Sequence, residues 1–140
     1  GSGAGRDVAY LAERLPQARV YGVDNHKGAG RRCLPLWRSR KVEDRTELVS
    51  LNLKDLSSFQ SLLSSSRPLL LLYSVRFLSR PLLSSLKDLM LPGEMYGLSH
   101  FVSEADGTFP FDHPKASEVL RRGEVRRRCE TEATGEYPPP

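Results

Sequence analysis

The sequence predicts an α/β fold with a mostly parallel sheet, and three observations lead there. Helix-like and strand-like stretches alternate through residues 5–102. Residues 68–75 carry four consecutive leucines, as in a strand covered on both faces, which is the habit of parallel sheets. Apolar residues make up 39% of the 140, enough for one domain of modest size, although the last forty residues hold few of them. Alternation of this kind implies parallel strands joined by right-handed crossovers.

The elements follow in order. Residues 5–15 read as a helix, because Val8, Leu11, Ala12 and Leu15 recur at the spacing of one buried stripe. Asp7 suits the positive end of its dipole, and Pro16 stops it. Residues 19–23 are β-prone and end at Asp24, which reads as a strand. In residues 27–40, Gly28, Gly30 and Pro35 argue against a long helix. One or two turns are expected there, with Leu34, Leu36 and Trp37 facing inward. Residues 46–53 alternate apolar and polar side chains like a strand near a sheet edge.

Asp55 or Ser57 can cap the next helix, whose stripe is Leu56, Phe59, Leu62 and Leu63 and whose end is the serine run 64–66. The leucine-rich strand 68–75 comes next. Ser79 then precedes a helix with Pro81 near its start, where proline is tolerated, and Pro92-Gly93 closes it. Residues 94–102 form a further strand candidate. Residues 114–128 suit a short charged helix, and the polar, proline-ended tail 129–140 is expected to be disordered.

Composition narrows the function classes. The net charge is +4, with the excess in Arg38, Arg40 and Lys41 and again in Arg121, Arg122, Arg126, Arg127 and Arg128. No aromatic residue interleaves these runs, so a base-stacking platform is not indicated. A solvated charged face is the reading, and nucleic acid is not the expected partner. Cys33 and Cys129 lie far apart and read as unpaired thiols. The histidines His26, His100 and His113 show no metal-ligand spacing with them, so no metal is predicted. The start carries no secretory pattern, and the longest apolar run, residues 68–73, falls short of the roughly 20 residues a membrane span needs. A soluble, cytoplasmic protein without a membrane partner is expected.

The chemistry-bearing segment is Gly1-Ser2-Gly3-Ala4-Gly5-Arg6-Asp7, followed by a helix, a strand and Asp24. Glycines permit tight turns and close approach of backbone to a ligand. A helix start offers free N–H groups, and a carboxylate at the end of the next strand, about 20 residues on, can accept hydrogen bonds from ribose hydroxyls. The dinucleotide fingerprint wants glycine where Arg6 stands, which weakens an oxidoreductase reading. An arginine beside the loop also suits a phosphate, so that alternative stays open.

Together with Tyr21-Gly22-Val23-Asp24-Asn25-His26-Lys27-Gly28, this segment resembles the first two motifs of class I S-adenosylmethionine-dependent methyltransferases. The likeness is to the tellurite-resistance-type branch of small-molecule methyltransferases. Three later stretches extend the resemblance over about residues 1–125. They are Arg76-Phe77-Leu78-Ser79-Arg80-Pro81-Leu82-Leu83, then Leu91-Pro92-Gly93, and then His113-Pro114-Lys115 with Leu120-Arg121-Arg122-Gly123-Glu124-Val125.

The resemblance implies a Rossmann-like three-layer sandwich with S-adenosyl-L-methionine as cofactor, transferring a methyl group to an unidentified small-molecule or protein acceptor. It implies that Gly1, Gly3 and Gly5 form the loop under the methionine part. Asp24 would bind the ribose, with Asn25 beside the adenosine. Asn52 and Leu53 would flank the adenine, Asn52 standing where the family usually has a carboxylate. Tyr73, Ser74 and Arg76 would lie at a strand exit near the methyl group, with Tyr73 in the cofactor site. No catalytic residue is implied, because methyl transfer rests mainly on alignment of donor and acceptor.

Plainer readings stand beside these. The opening glycines also read as a flexible terminus, Asp24 as the cap of the next helix, Tyr73 as a core aromatic, Arg76 as half of a surface ion pair, and His100 as structural. In the resembled family a central strand ending in an acidic residue precedes the glycine loop, and further strands close the sheet. The expectation is therefore an incomplete sheet, lacking its first central strand between strands 19–23 and 68–75 and lacking its last strands. Residues 1–128 would be a partial cofactor-binding domain of a longer, multidomain protein. The rival is a catalytically inactive Rossmann-like interaction module.

Overall fold

A computed structural model describes residues 1–129 of the chain. It is a mixed α/β structure with short parallel sheets and several helices. The chain divides into two compact units, Gly1–Leu62 and Leu63–Pro140.

In the first unit, helix α1 (Arg6–Arg14) buries Val8, Ala9 and Ala12. Strand β1 (Val20–Asp24) pairs in parallel with β2 (Thr46–Ser50), Val20 opposite Thr46 and Asp24 opposite Ser50. Helix α2 (Ala29–Ser39) lies between them in sequence. Val8, Ala9, Ala12, Cys33, Trp37 and Val42 make one core, edged by Val20, Leu36 and Leu48.

The 11-residue α2 corrects the expectation of one or two turns, since it runs through Pro35. Proline removes one backbone donor. Here the carbonyl left without it belongs to Arg31, an exposed residue, while Cys33 and Trp37 on the opposite face are fully buried. Packing overrides propensity. Leu34 is 44% exposed, against the expectation that it faces inward. Strand β2 ends at Ser50, three residues early, because Asn52 already turns the chain through its own carbonyl and Asp55 N–H. Helix α3 (Leu56–Ser65) begins after Asp55, whose carboxylate accepts the Ser58 N–H and both the Ser57 and Ser58 hydroxyls. Those donors hold its pKa down to about 2.

In the second unit, β3 (Leu71–Val75) and β4 (Met95–Ser99) form another two-stranded parallel sheet, Tyr73 opposite Gly97. Helix α4 (Arg80–Leu89) connects them, buries Leu82, Leu83, Leu86 and Leu89, and is capped by Ser79, whose hydroxyl accepts the Leu82 N–H. Strand β3 is not covered on both faces, because Tyr73 at its centre is 44% exposed, and Leu70 just before it is 55% exposed. The predicted helix over 114–128 resolves into a 3-10 turn at Ala116–Glu118 and a separate α5 (Glu124–Cys129). Gly123 at φ +74 interrupts it, and between the two pieces Leu120 bridges to Val102. The tail from 130 on lies outside the described residues. No described helix is long and apolar enough to cross a membrane.

Candidate functional site

Residues 1–5 form a turn that folds back on the carboxyl end of β1. The Ser2 N–H donates to the Val23 carbonyl at 2.7 Å, and the Gly5 N–H to the Ser2 carbonyl at 2.9 Å. Backbone polar groups of successive strand residues point to opposite edges. Val20 N–H and Asp24 C=O both face β2, so Val23 turns its carbonyl to the other edge of β1, where Ser2 meets it.

The carboxylate of Asp24 closes the arrangement. Its Oδ2 accepts the Gly3 N–H at 2.7 Å and its Oδ1 accepts the His26 N–H at 2.8 Å. A Cβ on Gly1 would stand 2.7 Å from the same Oδ2. The glycine turn and the acidic strand end, 21 residues apart in sequence, are thus in direct contact. Asp24 is only 9% exposed. Burial pushes its pKa up, but the His26 and Gly3 N–H donors, helped by the Arg32 charge, more than offset this and hold it below the ordinary carboxylate value. Asp24 does not cap α2, whose N-cap is Gly28.

The glycines differ in what they make possible. Gly3 has φ +57, and nothing lies within 4 Å of where its Cβ would be, so the turn presents bare backbone to open space. Gly5, at φ +73, is backed by protein, with Cys33 Cβ 2.6 Å and Trp37 Nε1 2.7 Å from the position of a Cβ. The Trp37 indole N–H donates to the Gly5 carbonyl at 3.0 Å. The turn therefore rests on α2. The Ser2 hydroxyl is buried and has no hydrogen-bond partner among the described residues.

The other expected residues sort as follows. Asn25 is exposed directly after Asp24. The Leu51 N–H reaches the Asp24 carbonyl at 3.3 Å, which brings the exit of β2, with Asn52 and Leu53, to the same sheet end. The Asn52 side chain accepts the Lys54 N–H at 3.1 Å, and Leu53 is half-buried. Tyr73 belongs to the second unit, where its ring lies across Gly97, and it is not a core residue. Arg76, at φ 50, sets its guanidinium 5.5 Å from the Phe101 ring centre and, among the described residues, is in no carboxylate pair. His100 accepts the Phe101 N–H at 2.7 Å, a local structural bond.

Sequence reasoning missed Cys33 and Trp37 as the backing of the turn, and His26 and Arg32 as its neighbours. His26 Nδ1 accepts the Gly28 N–H at 2.9 Å, and an Arg32 nitrogen lies 3.4 Å from it. The signal for the first pair was present, since positions 33 and 37 share a face of any helix that spans them. Pro35 hid that helix. Among the described residues no group of three or more His, Cys, Asp or Glu is gathered as a metal site would need. No family model matches the chain, and no curated protein or solved structure proved similar to it.

Proposed function

We propose that this chain carries an S-adenosyl-L-methionine-binding methyltransferase domain that passes a methyl group to a small-molecule or protein acceptor. The observation that carries the reading is the contact of the Gly3 N–H with the Asp24 carboxylate beside the open side of Gly3. The residues fit such a cofactor. A bare turn and a buried carboxylate meet at the carboxyl ends of parallel strands, where α/β sheets bind ligands. The cofactor, when bound, supplies an activated methyl group on a sulfonium.

The chain's own part is to hold and align. Each Asp24 oxygen accepts one backbone N–H and has lone-pair capacity left for a ribose hydroxyl. Gly1 and Gly3 let backbone approach the methionine part, and Gly5 fixes the turn against Trp37. Asn25, Asn52 and Leu53 would flank the adenosine. The finer fold reading is a Rossmann-like three-layer domain with a strand that enters the glycine turn along the edge of β1. It is supported by Ser2 on that edge, away from β2. A cytoplasmic location accompanies this reading.

One observation favours the rival module. Asn52 replaces the usual carboxylate and is already engaged with the Lys54 N–H. Calorimetric titration with S-adenosylhomocysteine, on the full chain and on a version extended upstream, separates the two. The methyltransferase reading expects saturable binding, weakened by about 1–3 kcal/mol in Asp24→Ala. Folded protein of both lengths that takes up no ligand would leave the interaction module. Preference for a nicotinamide dinucleotide would revive the oxidoreductase alternative that Arg6 leaves open.

A further inference from the structure

The C-terminal arginines do not simply coat a surface. They meet a residue from a distant helix around a cavity of about 570 Å³, lined by Arg80, Ser117, Arg121, Glu124, Arg127 and Arg128. Arg80 opens α4, 44 residues before Glu124. Its Nε donates to Glu124 Oε1 at 2.6 Å and its Nη2 to Oε2 at 3.1 Å, while further N–H groups take the Ser117 and Val119 carbonyls. Arg128 Nε donates to Glu124 Oε1 at 3.0 Å and Arg128 Nη1 to the Ser84 hydroxyl at 3.0 Å. The Arg121 N–H completes the shell of Glu124. One buried carboxylate thus fixes two guanidinium groups and is itself used up.

Two cations of the lining stay available. Among the described residues the Arg121 guanidinium has no hydrogen bond or ion pair, and Arg127 spends one nitrogen on the Arg122 carbonyl. Among the described residues, four arginines and one glutamate line this concave space, a formal excess of three positive charges. Planar guanidinium forks match tetrahedral phosphate oxygens two at a time. The excess exceeds what one carboxylate ligand neutralises. Among the described residues no aromatic side chain lines the cavity.

We infer that this cavity is a binding site for a compact small molecule bearing more than one phosphate group. The site is independent of the methyl-donor reading, since none of its residues belongs to the glycine turn.

The test uses inorganic tripolyphosphate as probe and the full chain at about 0.15 M salt, where exposed charges more than about 8 Å apart are screened. Calorimetry is paired with NMR of the arginine Nε–H signals. Saturable one-to-one binding is expected, with the Arg121 and Arg127 signals shifting. R121Q/R127Q removes no contact that Glu124 makes through its side chain, and should weaken binding about tenfold or more. R38Q/R40Q, in the first unit, should leave it unchanged. Absence of saturable binding overturns the site. So does equal loss in both variants, the mark of diffuse attraction to a cationic chain. Binding confined to RNA, with tripolyphosphate inert, overturns it as well.

Discussion

Asp24 in the first unit and Glu124 in the second are both buried carboxylates held below their ordinary pKa, but their partners are of different kinds. Asp24 is gripped by backbone N–H groups of Gly3 and His26. Glu124 is gripped chiefly by the side chains of Arg80 and Arg128, and its pKa falls to about 2. Backbone donors are placed by the course of the chain, so the Asp24 site depends on glycine conformations and on the packing behind them. Side-chain donors are charged and mobile, so the Glu124 site depends on sequence identity and leaves surplus charge. The first arrangement makes a shaped turn, the second a basic cavity.

The largest effect should come from breaking the turn's backing. Gly5→Ala puts a methyl group 2.6 Å from Cys33 Cβ into a φ of +73, and combined strain and overpacking should cost about 2–5 kcal/mol. Gly3→Ala, strained in φ but meeting nothing, should cost about 1–2 kcal/mol. Urea unfolding followed by fluorescence of Trp37, the only tryptophan, reads both. Equal losses would mean that the Trp37 and Cys33 contacts do not support the turn.

The carboxylates come next. Asp24→Asn keeps one acceptor oxygen and should cost about 1–2 kcal/mol. Glu124→Gln should cost a similar amount, because its arginine partners are themselves partly exposed. The pH dependence follows from depressed values. Glu124's contribution is complete above its unfolded value of 4.5 and is lost as pH falls toward about 2. Asp24 acts in the same direction from 3.8 downward. Comparing stability at pH 5 and pH 3 should show a loss in the parent chain that shrinks in Glu124→Gln. An unchanged loss would remove the Arg80–Glu124–Arg128 cluster as its source.

The smallest effect belongs to Gly97→Ala. Its methyl group would meet Tyr73 Cδ2 at 2.7 Å, but that ring is half exposed and can swing away, so about 1 kcal/mol or less is expected. A larger loss would make Tyr73 a fixed part of the sheet.

Much of this was legible in the sequence because local signals agreed. Ser79 with Pro81 and the leucine stripe placed α4, and the run ending at Asp24 placed β1. The spacing from the glycines to Asp24 pointed to one shared site, and the structure adds that the two are in direct contact. Failures came where local chemistry and packing disagreed. Pro35 argued against a helix that Trp37 and Cys33 pull into the core. Four leucines suggested burial on both faces, yet only Leu71 and Leu72 of them entered β3, and Leu70 stayed exposed. Gly123 split the charged helix, and no pattern of spacing could have announced that Arg80 would join Arg128 through Glu124.

The most direct test is the amide spectrum of the ¹⁵N-labelled full chain during addition of S-adenosylhomocysteine. Saturable shifts at Gly3, Asp24, Asn25 and His26, needing about 5- to 150-fold more ligand in folded Asp24→Ala, are the predicted result. Ligand that binds while those signals stay still, or that moves none in protein shown to be folded, would contradict the assignment of the glycine turn and Asp24 as the methyl donor's seat.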